Sequence, residues 1–215
     1  GTIAAELRLP DAITRRYLCP FQYFGINDSV DLSSVEWKHG CYLPSELTHL
    51  YTNDNTRVKH ILRNMNEILG DIHSIKCLAF CVSQDHAEYM RKKFLLEKIK
   101  ADVLTSINGT ERSVLRQKLI SGEINVLFVV DIFNEGVDIP EIDTVLFLRP
   151  TESLTVFLQQ LGRGLRLNDG KECLTVLDFV GNARPEYDFS SKFRGMVGRS
   201  QMSIVDEIEN NFPHA

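Results

Sequence analysis

The sequence predicts an α/β domain: a mostly parallel sheet covered by helices on both faces, three layers in all. Three observations predict it. Short runs without a polar face, such as NVLFVV (125–130) and DTVLFL (143–148), have the composition of strands buried on both sides. Amphipathic stretches of about a dozen residues separate them, long enough for the crossover helices that parallel strands require. The chain has 215 residues and is 43% hydrophobic, enough for one such core plus flanking chain and too little for two comfortable ones.

Taken in order, residues 1–17 read as a helical lead-in interrupted by Pro10. CPFQYFGI alternates like a strand, with Phe21, Tyr23 and Gly25 on one side and Gln22, Phe24 and Ile26 on the other. NDSVDLSS reads as an acidic turn. From Pro44 the pattern is helical: Val58, Ile61, Leu62, Met65, Ile68 and Leu69 recur at three- and four-residue steps until Gly70. From residue 76 strands and helices alternate. LAFCV (78–82), ADVLTSI (101–107), residues 125–130, residues 143–148 and CLTVLDFV (173–180) are the strands. Residues 83–99, 110–122 and 151–162 are the helices between them. MSIVDEIENNF, near the end, has the spacing of an amphipathic helix. In parallel sheets ligands bind beyond the carboxyl ends of the strands, so chemistry is expected in the loops starting at Ser83, Asn108, Asp131, Arg149 and Gly181.

The bulk numbers exclude several classes. No run approaches the roughly 18 apolar residues of a membrane span, and no signal-peptide pattern is present; Gly1 reads as a cut end. The chain is expected to be cytoplasmic with no membrane partner. The net charge of −5 argues against a free-standing nucleic-acid binder, which is usually basic, but leaves room for a local strip. The five cysteines are scattered, and Cys77 and Cys81, four apart in an apolar strand, read as small buried hydrophobes. The six histidines form no HxH or HxxxH pair, so no metal is expected.

The strongest chemical signal is QQLGRGLR, residues 159–166. The helix before it puts Leu154, Phe157, Leu158 and Leu161 on a core stripe. Gln159, Arg163 and Arg166 follow i, i+4, i+7 spacing on another face, provided the helix continues through Gly164. Two guanidiniums together suit a polyphosphate, because each planar fork grips oxygens bidentately. A solvated basic face is the other reading. Against it, two glycines flank Arg163, each costing about 1 kcal/mol in a plain helix, and the helix follows a strand at the end of the sheet where ligands bind. Phe21, Tyr23, Phe24 and Trp37 could stack on bases, but core packing is the commoner use. Arg91-Lys92-Lys93 reads as a solvated helix face, and Asp178 as a turn former.

QQLGRGLR resembles motif VI of superfamily 2 helicases, Q-x-x-G-R-x-x-R, through Gln159, Gly162, Arg163 and Arg166. VVDIFNEGVDIPEIDTVLFLRPT resembles motif V, with Glu135 to Pro140 as its core, and LAFCVSQDHAEYM resembles motif IV. SINGTERSVLRQKLISGEINVLFVV is similar to the stretch between those two. GRGLR followed by LTVLDFVGN is most similar to the helicase subunits of type I and type III restriction systems. The resemblance covers residues 76–183, with 1–17 as linker, 18–195 as the domain and 196–215 as a tail.

This resemblance implies a RecA-like three-layer fold and the second motor domain of an ATP-dependent helicase or translocase. It implies that Arg163 and Arg166 contact the γ-phosphate of ATP across a cleft, with Arg166 as arginine finger, that Gln159 joins this ATP site, and that Gly136 and Asp138 line the cleft near the ribose. Ser83, Gln84, Asn108, Gly109 and Asp131 would face nucleic acid, DNA more than RNA. The chain departs from many family members at Val130, where they have Thr, and at Glu135, where some have Arg. It contains no G-x-x-x-x-G-K-[ST] phosphate loop; Gly170-Lys171 lacks the rest of that pattern, and Asp206-Glu207 reads as an exposed acidic pair. ATP with its Mg would therefore be held by an N-terminal RecA-like domain of the same protein. Two other readings stay open: a non-catalytic module gripping an anion or partner through Arg163 and Arg166, and a stand-alone enzyme, for which no nucleophile–base pair is found.

Overall fold

A computed structural model describes residues 9–38, 40–53, 55–105, 111–130, 139–151 and 154–182, together with 194 and 196. The elements in chain order are α1 (Leu9–Thr14), β1 (Phe21–Asp31), β2 (Trp37–Lys38), β3 (Cys41–Tyr42), α2 (Pro44–Thr52), α3 (Asn55–Leu69), β4 (Cys77–Phe80), α4 (Gln84–Leu96), β5 (Ala101–Leu104), α5 (Arg112–Ser121), β6 (Val126–Val129), β7 (Thr144–Phe147), α6 (Leu154–Gly164) and β8 (Leu174–Asn182).

Six strands form one sheet in the order β1-β8-β7-β4-β6-β5, and every neighbouring pair is parallel. The three strands β4, β6 and β7 have all four residues buried, which is why they read as unbroken apolar runs. Their side chains still alternate between two cores. Leu78, Phe80, Leu127, Val129, Val145 and Phe147 pack with α5 and α6 through Leu115, Leu119, Phe157 and Leu161. Cys77, Ala79, Val126, Phe128 and Leu146 pack with α3 and α4 through Ile61, Met65, Met90 and Phe94.

Connection direction decides which face each helix takes. The links β1 to β4 and β4 to β5 run one way along the sheet and carry α3 and α4. The links β5 to β6 and β7 to β8 run the other way and carry α5 and α6. A single crossover hand requires this split. The three layers are thus α5 and α6, the sheet, and α3 and α4.

Two expectations are corrected, and a third is tested only in part. Pro10 lies within α1, so the described helix continues through it to Thr14; the rest of the lead-in lies outside the described residues. NDSVD is strand, not turn: β1 runs to Asp31 beside β8, with a register irregularity between Asn27 and Asp31. Gly181 permits this approach, since a Cβ there would lie 2.8 Å from the Val30 carbonyl oxygen. Asp178 forms no turn; it lies buried within β8, opposite Gly25 and Phe147, and accepts a 2.6 Å hydrogen bond from the Tyr23 hydroxyl.

The aromatics of the first strand belong to the core. Phe21 and Tyr23 lie against one face and Phe24 against the other, and Trp37 stands edge-on to Tyr42 at 4.7 Å. Cys77 and Cys81 are buried as expected; burial holds both thiols protonated, pushing that of Cys81 up to about 12.

Candidate functional site

The run that resembles motif VI begins on α6 and ends two residues beyond it. Phe157 and Leu161 are fully buried, and Leu154 and Leu158 are packed on the same core. Gln160 joins the buried side, whereas Gln159 is exposed and Arg163 half-buried. Gln159 and Arg163 therefore share the outward face that their spacing predicts. Arg166 does not complete that helical face, because α6 ends at Gly164. Leu165 leaves the helix to bury its side chain and to accept a 2.8 Å hydrogen bond from the Cys19 N–H. Arg166 follows as an exposed residue two positions beyond the helix end.

The two glycines around Arg163 have different reasons. A Cβ on Gly164 would come 2.6 Å from Leu174 Cδ1, so that glycine serves close packing of α6 on the start of β8. A Cβ on Gly162 would meet nothing within 4 Å. Among the described residues nothing calls for glycine there, although the helix gives up about 1 kcal/mol relative to alanine. Open backbone beside Arg163 suits the close approach of something from outside.

The arginines lie at the opposite edge of the sheet from the one expected. Helix α6 starts beyond the carboxyl end of β7, but its 11 residues span about 16 Å, the full height of a four-residue strand and its flanks. Its C-terminal end therefore reaches the amino edge. There it meets Cys19, just before β1, and Leu174, the first residue of β8. The rule that ligands bind at strand carboxyl ends describes ligands held by the sheet itself. It does not govern side chains offered to a ligand held elsewhere.

Of the candidate track residues, Ser83 and Gln84 lie at the carboxyl edge. Ser83 is the N-cap of α4; its Oγ accepts from the His86 N–H at 3.2 Å and is hydrogen-bonded to Thr48 Oγ1 at 2.8 Å. Its hydroxyl is therefore already used in shaping the loop. Gln84 opens α4, half-buried. Asn108, Gly109, Asp131, Gly136 and Asp138 lie outside the described residues, as do Glu135, the 206–207 acidic pair and the 202–212 segment.

Beneath this edge is a buried polar cluster that sequence reading missed. Arg57 of α3 donates from Nε to Asp28 Oδ2 at 2.7 Å and from Nη2 to the Leu148 carbonyl at 3.1 Å. Its guanidinium carbon sits 3.8 Å from the Tyr51 ring centroid, and Nη1 lies 3.5 Å from His86 Nε2. His86 Nδ1 accepts the Val82 N–H at 3.3 Å. Burial, and then the Arg57 charge, hold the imidazole pKa well below its usual value, so the ring is neutral and its Nδ1 can accept. The one sequence signal was that Arg57 stands in phase with Ile61 and Met65 on the core stripe of α3.

Comparisons with known proteins bear on the family and the fold. IRC3 of Saccharomyces cerevisiae, described as an ATP-dependent helicase, is 32% identical over 180 residues, covering 80% of this chain and 25% of IRC3. The DNA 3'-5' translocase XPB2 of Sulfurisphaera tokodaii is 29% identical over 133 residues, covering 62% of this chain and 29% of that protein. Among solved structures, a fragment described as an HsdR subunit of a type I restriction enzyme from Vibrio vulnificus YJ016 superposes with a TM-score of 0.63 at 21% identity, over 87% of this chain and 38% of that one. The fold is RecA-like. This chain spans well under half the length of each of these relatives. A family model described as the helicase conserved C-terminal domain matches residues 59–168, from early α3 to two residues past Arg166, and with motifs IV, V and VI in order on a RecA-like sheet, the chain belongs to that family.

Proposed function

We propose that this domain is the second of two RecA-like motor domains in an ATP-dependent helicase or translocase, and that it offers Arg163 and Arg166 to ATP held by a first RecA-like domain of the same protein. One observation carries the reading. Gln159 and Arg163 share the outward face of α6, and Arg166 stands exposed two residues beyond its C-terminal end, with room for a side chain left open at Gly162. Paired planar cations there can neutralise charge developing on a phosphoryl group presented from across a cleft.

The phosphate-cradling loop and the Mg ligands are placed on the first domain, since this sequence has no G-x-x-x-x-G-K-[ST]. Gly136 and Asp138 would line the ribose side. Ser83, Gln84, Asn108, Gly109 and Asp131 would meet the nucleic-acid backbone at the opposite edge, Ser83 through its main chain because its hydroxyl caps α4. DNA is favoured as the track, supported by the named activity of XPB2. Nucleotide and track then sit at opposite edges of one sheet, so closing the cleft on ATP tilts the track-facing edge.

The test is to titrate ATP and Mg into this chain alone by calorimetry and to assay hydrolysis. Affinity no better than millimolar and no turnover are expected. Micromolar affinity or turnover above background would overturn the half-site.

A further inference from the structure

Lys171 has no part in the functional reading above, yet it occupies the junction of motifs V and VI. The chain leaves α6, turns through Asn168 to Lys171 with an N–H to carbonyl bond of 3.1 Å, and uses a left-handed Gly170 at φ +81°. This turn sends the Lys171 side chain back under the end of the helix. Its Nζ donates to three main-chain carbonyls: Gly164, Arg166 at 3.2 Å and Pro140 at 3.2 Å. An ammonium has three hydrogens, so all three are used. The Gly164 carbonyl lies at a helix C-terminus, where acceptors lack intrahelical donors and a cation is favoured by the helix dipole. Cys19 reinforces the end of α6 from the other side, its thiol 3.6 Å from the Gly164 carbonyl and its N–H on the Leu165 carbonyl.

The Pro140 contact gives this junction its meaning. Strand β6 ends at Val129 on the carboxyl edge, whereas Pro140 lies against Lys171 on the amino edge. Pro140 closes the motif V core, and Lys171 fastens its carbonyl to the main chain of Arg166.

We propose that Lys171 is a positioning residue for the motif VI arginines: its ammonium ties the Gly164 and Arg166 carbonyls to that of Pro140, so that the end of motif V and the arginine finger move as one body. This rests on the arginine-finger reading of Arg166. A methionine at 171 would fill similar space and leave three carbonyls near the surface to water. The main chain at Arg166 would then lose its registration while the core stayed intact. Arginine would keep the charge, but its planar fork cannot point at three converging carbonyls as an ammonium does.

The experiment is a double-mutant cycle in the full-length protein, with Lys171→Met, Lys171→Arg, Arg166→Ala and the Lys171→Met/Arg166→Ala double variant. Nucleic-acid-stimulated ATPase kcat, KM for ATP and a thermal melt are measured for each. Lys171→Met is expected to lower kcat roughly 10- to 100-fold, the scale of an ångström-sized misplacement. KM for ATP should change little, because the lost interaction acts in the transition state. Lys171→Arg should recover part of the rate. In the Arg166→Ala background, Lys171→Met should cost almost nothing further. Multiplying effects in the double variant would overturn the proposal, as would a lower melting temperature or a raised KM with kcat unchanged. Should Lys171→Met fail to fold, the cycle run with Lys171→Arg decides by the same criterion. An Arg166→Ala variant that hydrolyses ATP at near wild-type rate overturns the arginine-finger reading itself. That result is separable, because it appears in the single variant.

Discussion

The two edges of the sheet use cations in opposite ways. At the carboxyl edge Arg57 is 1% exposed and closed in by Asp28, the Leu148 carbonyl, the Tyr51 ring and His86. At the amino edge a half-buried ammonium gathers main-chain carbonyls, and Arg166 stands exposed beyond the helix end. A fully buried guanidinium serves the fold, whereas an exposed one on a secured backbone can reach a ligand. The carboxyl edge should therefore respond to mutation mainly in stability, and the amino edge mainly in rate.

The sharpest way to break this contrast is Arg166→Ala in the full-length protein. ATP hydrolysis should fall by roughly 10³-fold or more, the measured scale for arginine fingers, while folding changes by no more than about 0.5 kcal/mol, as for an exposed residue off the core. Steady-state ATPase beside a thermal melt checks both. A fall in stability matching the fall in rate would make Arg166 structural. At the other edge, Arg57→Met should cost about 3 kcal/mol or more, because it leaves the Asp28 carboxylate buried without its cation. Replacing both residues, Arg57→Met with Asp28→Leu, should restore much of that loss. Urea denaturation of the three variants reads this directly, and equal stability of the single and double variants would contradict it.

A smaller effect separates the edges by pH. The folded-state pKa of His86 is depressed below 6.5, so its contribution to stability is fully present above about pH 6.5. As pH falls below that value the unfolded chain takes up a proton that the folded chain refuses. Stability should drop by about 1.4 kcal/mol per pH unit from this group until its folded pKa is reached. Denaturation between pH 7 and 5 should show a shallower slope in His86→Gln, and an unchanged slope would show the ring to be protonatable in place. The smallest effect is expected at Gly162. Gly162→Ala should raise stability by up to about 1 kcal/mol through helix propensity, since the added methyl meets nothing. If Gly162 keeps space for the nucleotide-bearing partner, the same variant should nevertheless lower ATPase activity; unchanged activity would leave this glycine without a role at the cleft.

Much of this was legible in the residues. Strands β4, β6 and β7 are apolar throughout because both faces are covered, and that composition survives any detail of packing. The core stripe of α6 and the outward placement of Gln159 and Arg163 follow from helical period alone. Resemblance to the superfamily 2 motifs named the family because several patterns stood in order at fitting spacing.

Other features depended on contacts between residues distant in sequence. That NDSVD is strand depends on Gly181, some 150 residues later, making room for Val30. That Arg57 is buried depends on Asp28, Tyr51, His86 and Leu148 arriving from four other segments. Asp178 looked like a turn former until Tyr23 reached it across the β1–β8 pair. The edge on which the arginines lie was decided by the length of α6 against the height of the sheet. Local sequence specifies period, polarity and turn chemistry, which are properties of neighbours along the chain. Register, buried charge pairs and the side of the sheet to which a side chain is delivered arise only when distant segments compete for the same space.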